Sequence, residues 1–173
     1  PFDRQGVAAF CPDEEGQAEA YLHAVGALEA CGWKQYEISN FAREGRTARH
    51  NLKYWDCREY LGVGPSAHSF VNGRRFYFPR DLQGFLASDG DFSHAVDDGP
   101  GGDAEEYVML RLRLSEGVRW EALAARCPAF DADELREKAR RIPGGLIRLD
   151  SDGLRLTAKG FLLSNAVIGE LLD

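Results

Sequence analysis

Residues 15–39 read EGQAEAYLHAVGALEACGWKQYEIS. Tyr21, Ala24, Val25, Leu28 and Cys31 recur at helical spacing and Gly32 stops the run, so the stretch opens as an amphipathic helix. Gln35-Tyr36-Glu37-Ile38-Ser39 follows as a short strand, with Tyr36 and Ile38 on one face. The order then repeats. After a polar, glycine-bearing loop at 42–50, Asn51 to Tyr60 predicts a short helix and Leu61-Gly62-Val63-Gly64 a second short strand. Helix followed by strand, twice over, points to β/α units around a parallel sheet. Two units are far fewer than a closed barrel needs, and Pro1 to Gly6 does not read as a natural start, so further strands are expected upstream. A partial barrel would leave unpaired edges near 35–39 and 61–64. Those edges are expected to be covered by self-association or by local rearrangement.

Working outward, a hairpin is predicted at 70–78 with Asn72-Gly73 as its turn, and a short helix at 79–88. Residues 88–103 are rich in Asp, Gly and Ser and read as a linker, taken as 91–102. Beyond it the pattern changes. A helix over 103–115 aligns Tyr107, Leu110 and Leu114, and a second covers 118–126. Asp131 and Glu134 fit a capping pattern for a third helix carrying Leu135 and Ala139. Leu146-Ile147-Arg148-Leu149, a turn at 150–153 and Leu154-Arg155-Leu156 make a hairpin, and Thr157 caps a last helix running to Leu172. The fold class is therefore α/β: residues 1–90 as part of a β/α barrel, then a winged-helix-like helical domain over 103–173.

The bulk numbers narrow the function classes. The chain has 173 residues, 44% of them hydrophobic, so a buried core is feasible. No apolar run approaches bilayer length and the N-terminus lacks the pattern of a signal peptide, so a cytoplasmic location is expected. Split at Gly90, the chain carries 10 Lys+Arg against 12 Asp+Glu, then 11 against 16. Neither part has the broad basic surface that phosphate backbones demand. The most basic helix, with Arg136, Lys138, Arg140 and Arg141, also carries Asp131, Asp133, Glu134 and Glu137. A winged-helix nucleic-acid-binding module is thus an alternative that the charge opposes, and no nucleic-acid partner is expected. Cys11, Cys31, Cys57 and Cys127 are at least 20 residues apart, so no iron–sulfur cluster motif is present.

Three stretches stand out in order. Tyr36-Glu37-Ile38-Ser39-Asn40-Phe41-Ala42 is followed by His50-Asn51-Leu52-Lys53-Tyr54-Trp55, then by Tyr60-Leu61-Gly62-Val63-Gly64-Pro65-Ser66-Ala67-His68-Ser69. This ordered set resembles HemW-like proteins, the heme-trafficking branch of the radical S-adenosylmethionine (SAM) family, related to oxygen-independent coproporphyrinogen III oxidases. In the tail, residues 106–113 and Leu156-Thr157-Ala158-Lys159-Gly160 resemble that family's C-terminal domain. The likeness covers nearly the whole chain and is weakest at 88–103.

The resemblance implies the C-terminal portion of a radical SAM barrel followed by a small helical domain. The implied role is binding heme and delivering it to heme-accepting proteins. SAM and a [4Fe-4S] cluster would be cofactors of the full-length protein, the cluster held by a missing N-terminal half. Without cluster cysteines, this portion is not expected to be active alone. Decarboxylation of coproporphyrinogen III is the enzymatic alternative, and the HNxxYW motif looks unlike that branch.

The motif is associated in the family with heme, which makes His50, Asn51, Tyr54 and Trp55 the heme-binding candidates. His50 is the first choice for the iron, since imidazole is a good axial ligand. Tyr54 and Trp55 suit a flat macrocycle, and Arg43, Arg46 and Arg49 suit its propionates. The plainer alternative makes His50 a helix cap and the two aromatics core residues. Gly62, Gly64 and Ala67 are either SAM-side backbone contacts or a tight connection with no ligand. Glu37 either faces the SAM cavity or forms a buried ion pair. His68 is a second ligand candidate or a structural histidine. Arg74 and Arg75 either add charge for propionates or form a solvated edge.

Overall fold

A computed structural model describes residues 11–173; the reading of Pro1 to Gly6 lies outside the described residues. Helix α1, Glu14–Ala30, begins where the Asp13 side chain accepts from the Gly16 N–H at 2.9 Å, with Glu14 and Glu15 in the positive first turn. It ends where Gly32 takes φ +79°.

Strand β1, Lys34–Gln35, returns at once as β2, Phe41–Ala42, in an antiparallel pair. Residues 36–38 then pair with the distant stretch 113–115. The Ile38 N–H donates to the Arg113 carbonyl at 2.9 Å, the Ser115 N–H to Tyr36 at 3.1 Å, and the Ser115 hydroxyl to Gln35 at 2.7 Å. The polar 42–50 stretch opens on the last residue of β2 and ends inside α2, Arg49–Trp55.

The Asn72-Gly73 hairpin forms as read: β3, His68–Val71, and β4, Arg74–Tyr77, with both turn residues at positive φ. Helix α3, Leu82–Ala87, and a 3₁₀ turn, Phe92–His94, lead into β5, Val96–Pro100, which pairs with the other side of β4.

Three expectations are corrected here. Every sheet pairing among the described residues is antiparallel, not parallel. A parallel return needs a crossover of roughly a dozen residues or more, and the β1–β2 and β3–β4 connections are only residues 36–40 and 72–73. Residues 61–64 form no strand, because Gly64 at φ +118° and Ser66 at φ 61° break the extended run. The 91–102 stretch, turn-like in composition, contains β5; the bulge between Arg75 and Phe76 and the Arg74–Asp97 ion pair accommodate its Asp and Gly residues.

The remainder runs α4, Ala104–Arg111; β6, Val118–Arg119; α5, Trp120–Arg126; α6, Ala132–Arg141; β7, Ile147–Leu149; β8, Gly153–Leu156; α7, Ala158–Leu162; and α8, Ser164–Leu172. The sheet order is β6-β8-β7, antiparallel throughout. Asp131 caps α6 by accepting from the Asp133 and Glu134 N–H groups, and the Thr157 hydroxyl accepts from Gly160 at the start of α7.

Leu112, Val118, Leu123, Leu135, Leu154 and Leu171 are almost fully buried. Cys57 and Phe70 from the earlier part join the same apolar cluster, so the α2 and β3 segments rest directly on the helical region. Burial of apolar surface at about 25 cal/mol per Å² is the main stabilising term.

The join is also polar. The Arg111 guanidinium is buried and donates to Asp56 at the end of α2, to Glu116 at 2.7 Å and to the Gly117 carbonyl at 3.1 Å. Arg126 reaches the Cys57 carbonyl at 3.0 Å and lies over the Tyr107 ring.

Candidate functional site

Helix α2 presents the motif. At about 100° per residue, His50 and Tyr54 share one line along the helix and Asn51 and Trp55 the adjacent one, all within an arc of about 140°. The helix starts at Arg49 after Ala48, and no side chain caps it, so His50 lies inside the first turn and is not a cap. His50 is exposed, Tyr54 is 36% exposed, and Asn51 and Trp55 are half-buried.

His50 Nε2 and the Tyr54 hydroxyl share a hydrogen bond of 2.9 Å, with ring centroids 5.1 Å apart and planes perpendicular. Tyr54 in turn meets Tyr60 edge-on at 4.5 Å. The Tyr60 hydroxyl accepts from Arg75 Nη1 at 3.3 Å. Arg75 also pairs with Glu106 and lies 4.7 Å over the Phe70 ring. Burial works against the Arg75 charge, and the Glu106 carboxylate overcomes it, holding the guanidinium above its ordinary pKa. Glu106 accepts the Gly102 N–H at 2.6 Å. An aromatic and charged relay thus runs from exposed His50 to the first turn of α4.

Beside this face lies an open groove of about 500 Å³ lined by Arg49, His50, Leu52, Lys53, Asp56 and Arg58. That size is within the usual range of small-molecule clefts, about 300–1,000 Å³. The groove offers an imidazole and three cations. Arg49 is the only one of the three upstream arginines among its lining residues: Arg43 stacks over Trp33 at 5.3 Å, and Arg46 is exposed on the turn before α2. Lys53, Arg58 and Tyr60 complete the surroundings of His50 and were not singled out from the sequence. Lys53 was findable from its spacing of three and four from His50 and Arg49. Tyr60 was not, since a loop brings it back. Just after α2, burial raises the Cys57 thiol pKa, with the Glu106 carboxylate adding to the rise.

The remaining candidates lie in other networks. Gly62 sits on the loop between α2 and β3, where its N–H donates to the Ser69 hydroxyl at 3.0 Å. A Cβ at this glycine would lie 2.2 Å from the His68 carbonyl oxygen, so close backbone approach by itself explains the residue. Gly64 stands in open space at positive φ, Ala67 is half-buried, and Val63, just before Gly64, is 78% exposed. Glu37 is buried, pairs across a bridge with Leu114, and accepts the Ser39 N–H at 3.1 Å. His68 stacks on Tyr77 at 5.0 Å and faces Asp98 at 3.9 Å. Arg74 pairs with Asp97 at the surface.

No group of three or more His, Cys, Asp or Glu side chains among the described residues is arranged to hold a metal ion. The donor set among the described residues does not fit an iron–sulfur cluster. No described helix is long and apolar enough to cross a membrane.

Comparison with known proteins adds to this geometry. Residues 103–163 match the family model described as the HemN C-terminal domain. The chain is 34% identical over 175 residues to the heme chaperone HemW of Mycobacterium tuberculosis, covering 98% of this chain and 42% of that protein. It is 32% identical over 171 residues to the heme chaperone HemW of Bacillus subtilis, covering 93% and 44%. The chain thus spans less than half the length of these relatives. Among solved structures, coproporphyrinogen III oxidase (HemN) from Escherichia coli, a radical SAM enzyme, superimposes with a TM-score of 0.64 at 16% identity, over 94% of this chain and 42% of that one. That likeness is one of fold.

Proposed function

Because the chain belongs to the HemW/HemN radical SAM family and corresponds to the C-terminal part of its longer members, we propose that it carries the heme-holding face of a cytoplasmic heme chaperone. Heme is the cargo, passed on to acceptor proteins. The observation that carries the reading is the exposed His50–Tyr54 pair beside a groove lined by Arg49, Lys53 and Arg58. Imidazole offers an axial nitrogen and the cations suit the two propionates, while Tyr54 and Trp55, which do not line the groove, would meet the macrocycle from the rest of the α2 arc.

The cluster ligands of the family would come from a part of the longer protein that this chain does not span. Gly62, Gly64, Ala67 and Glu37 remain the proposed SAM-side positions. We take residues 1–90 as the barrel-side unit and 103–173 as a winged-helix-like domain, with β5 of the intervening 91–102 stretch paired to β4 on the barrel side. The order α4-β6-α5-α6-β7-β8, with β8 between β6 and β7, supports the winged-helix description. In that scheme α6 takes the place of a recognition helix. Its Arg136, Lys138 and Arg140 pair with Asp133, Glu134 and Glu137 on the same helix, which leaves little free positive charge for a phosphate backbone.

The test is an absorbance titration of hemin into the chain and its His50→Ala variant. Weaker binding with an altered Soret band is expected for the variant. Identical affinity and spectrum would remove His50 from the ligand role.

A further inference from the structure

We propose that Tyr54 is a latch on His50, its hydroxyl occupying the nitrogen that an iron porphyrin must take and thereby making cargo binding readily reversible. The inference rests on the heme reading above. Nε2 is the imidazole nitrogen farthest from the backbone and the one a bulky macrocycle can approach. It is already engaged with the Tyr54 hydroxyl at 2.9 Å. Whichever tautomer the ring adopts, that nitrogen is not free: it either accepts the phenolic proton or donates its own. Iron binding therefore requires the hydroxyl to leave. The latch is held in place from behind. Tyr60 meets Tyr54 edge-on at 4.5 Å, the Tyr60 hydroxyl is tied to Arg75, and Arg75 is tied to Glu106 in α4. After release, the returning hydroxyl competes with the iron for Nε2, a property that suits a carrier more than a permanent heme protein.

Two measurements on the same variants test this. In the cargo-free chain, nitrogen-15 NMR of the His50 ring at pH 8 should show a well-defined tautomer in the wild type and a mixed population in Tyr54→Phe. In hemin titrations, Tyr54→Phe keeps the ring and removes only the hydroxyl. It should bind about twofold to tenfold tighter and release hemin to apomyoglobin correspondingly more slowly. Tyr60→Leu, which loosens the support, should move both readouts in the same direction by less. Weaker hemin binding in His50→Ala together with unchanged or weaker binding in Tyr54→Phe would overturn the latch alone. Unchanged binding in His50→Ala would overturn the ligand reading and the latch with it. An unchanged ring tautomer in Tyr54→Phe would show that the hydroxyl does not hold the imidazole, and would sink the latch without touching the heme reading.

Discussion

Replacing Arg111 with Met should loosen the seat of α2, the helix proposed to hold heme. The guanidinium is buried and serves three acceptors at once: Asp56 at the end of α2, Glu116, and the Gly117 carbonyl. Removing one partner of a buried pair typically costs about 3–5 kcal/mol, because the other charge is left without compensation. Here the side chains left behind are 26% exposed for Asp56 and 57% for Glu116. Water can recover part of their solvation, so the expected loss is about 2–3 kcal/mol. With a urea m-value of about 2 kcal/mol/M, the unfolding midpoint should fall by roughly 1–1.5 M. Asp56→Asn keeps a hydrogen-bond acceptor and removes the charge, and should cost about 1 kcal/mol. The double variant should fall short of the summed losses by about 1 kcal/mol, since the two side chains touch. A midpoint shift under about 0.3 M for Arg111→Met, or strict additivity with Asp56→Asn, would refute the view that this pair clamps α2 to the helical region.

Two further outcomes follow from burial and close approach. The Cys57 thiol, pushed up first by burial and then by Glu106, should alkylate far more slowly at pH 8 than exposed Cys31 when both are followed by mass spectrometry. Its raised pKa stabilises the fold fully below about 8.5, the unfolded thiol value, and that stability is lost as pH rises toward the folded value; Cys57→Ala should flatten this alkaline decline. Gly160→Ala would put a Cβ 2.0 Å from the Leu146 carbonyl oxygen, forcing α7 away from the start of β7. A loss of about 2 kcal/mol and a Tm drop of about 4–8 °C are expected, and an unshifted melting curve would contradict that packing.

Elements coded by local chemistry were readable from the sequence. Asn72-Gly73 sets its hairpin, and Asp131 and Thr157 cap their helices, because each acts within a few residues. What escaped depends on distant partners. Residues 35–39 resembled a parallel strand, yet 36–38 pair with 113–115, about 80 residues away. Strand β5 looked like a linker because Asp97, Asp98 and Gly99 favour turns; its pairing with β4 overrides that preference. In the site, His50, Asn51, Tyr54 and Trp55 were legible as a motif and fall on one arc of α2. The Tyr60–Arg75–Glu106 relay was not, since its members come from a loop, a hairpin strand and a helix.

The most direct test of the proposed heme-holding face is paramagnetic broadening of backbone and ring NMR signals by sub-stoichiometric ferric hemin. Losses centred on His50, Tyr54, Trp55 and Tyr60 and fading along Lys53 and Arg58 are the expected result. Broadening centred on the separate cavity lined by Lys34, Tyr36, Arg43 and Ser115, with α2 signals intact, would contradict it.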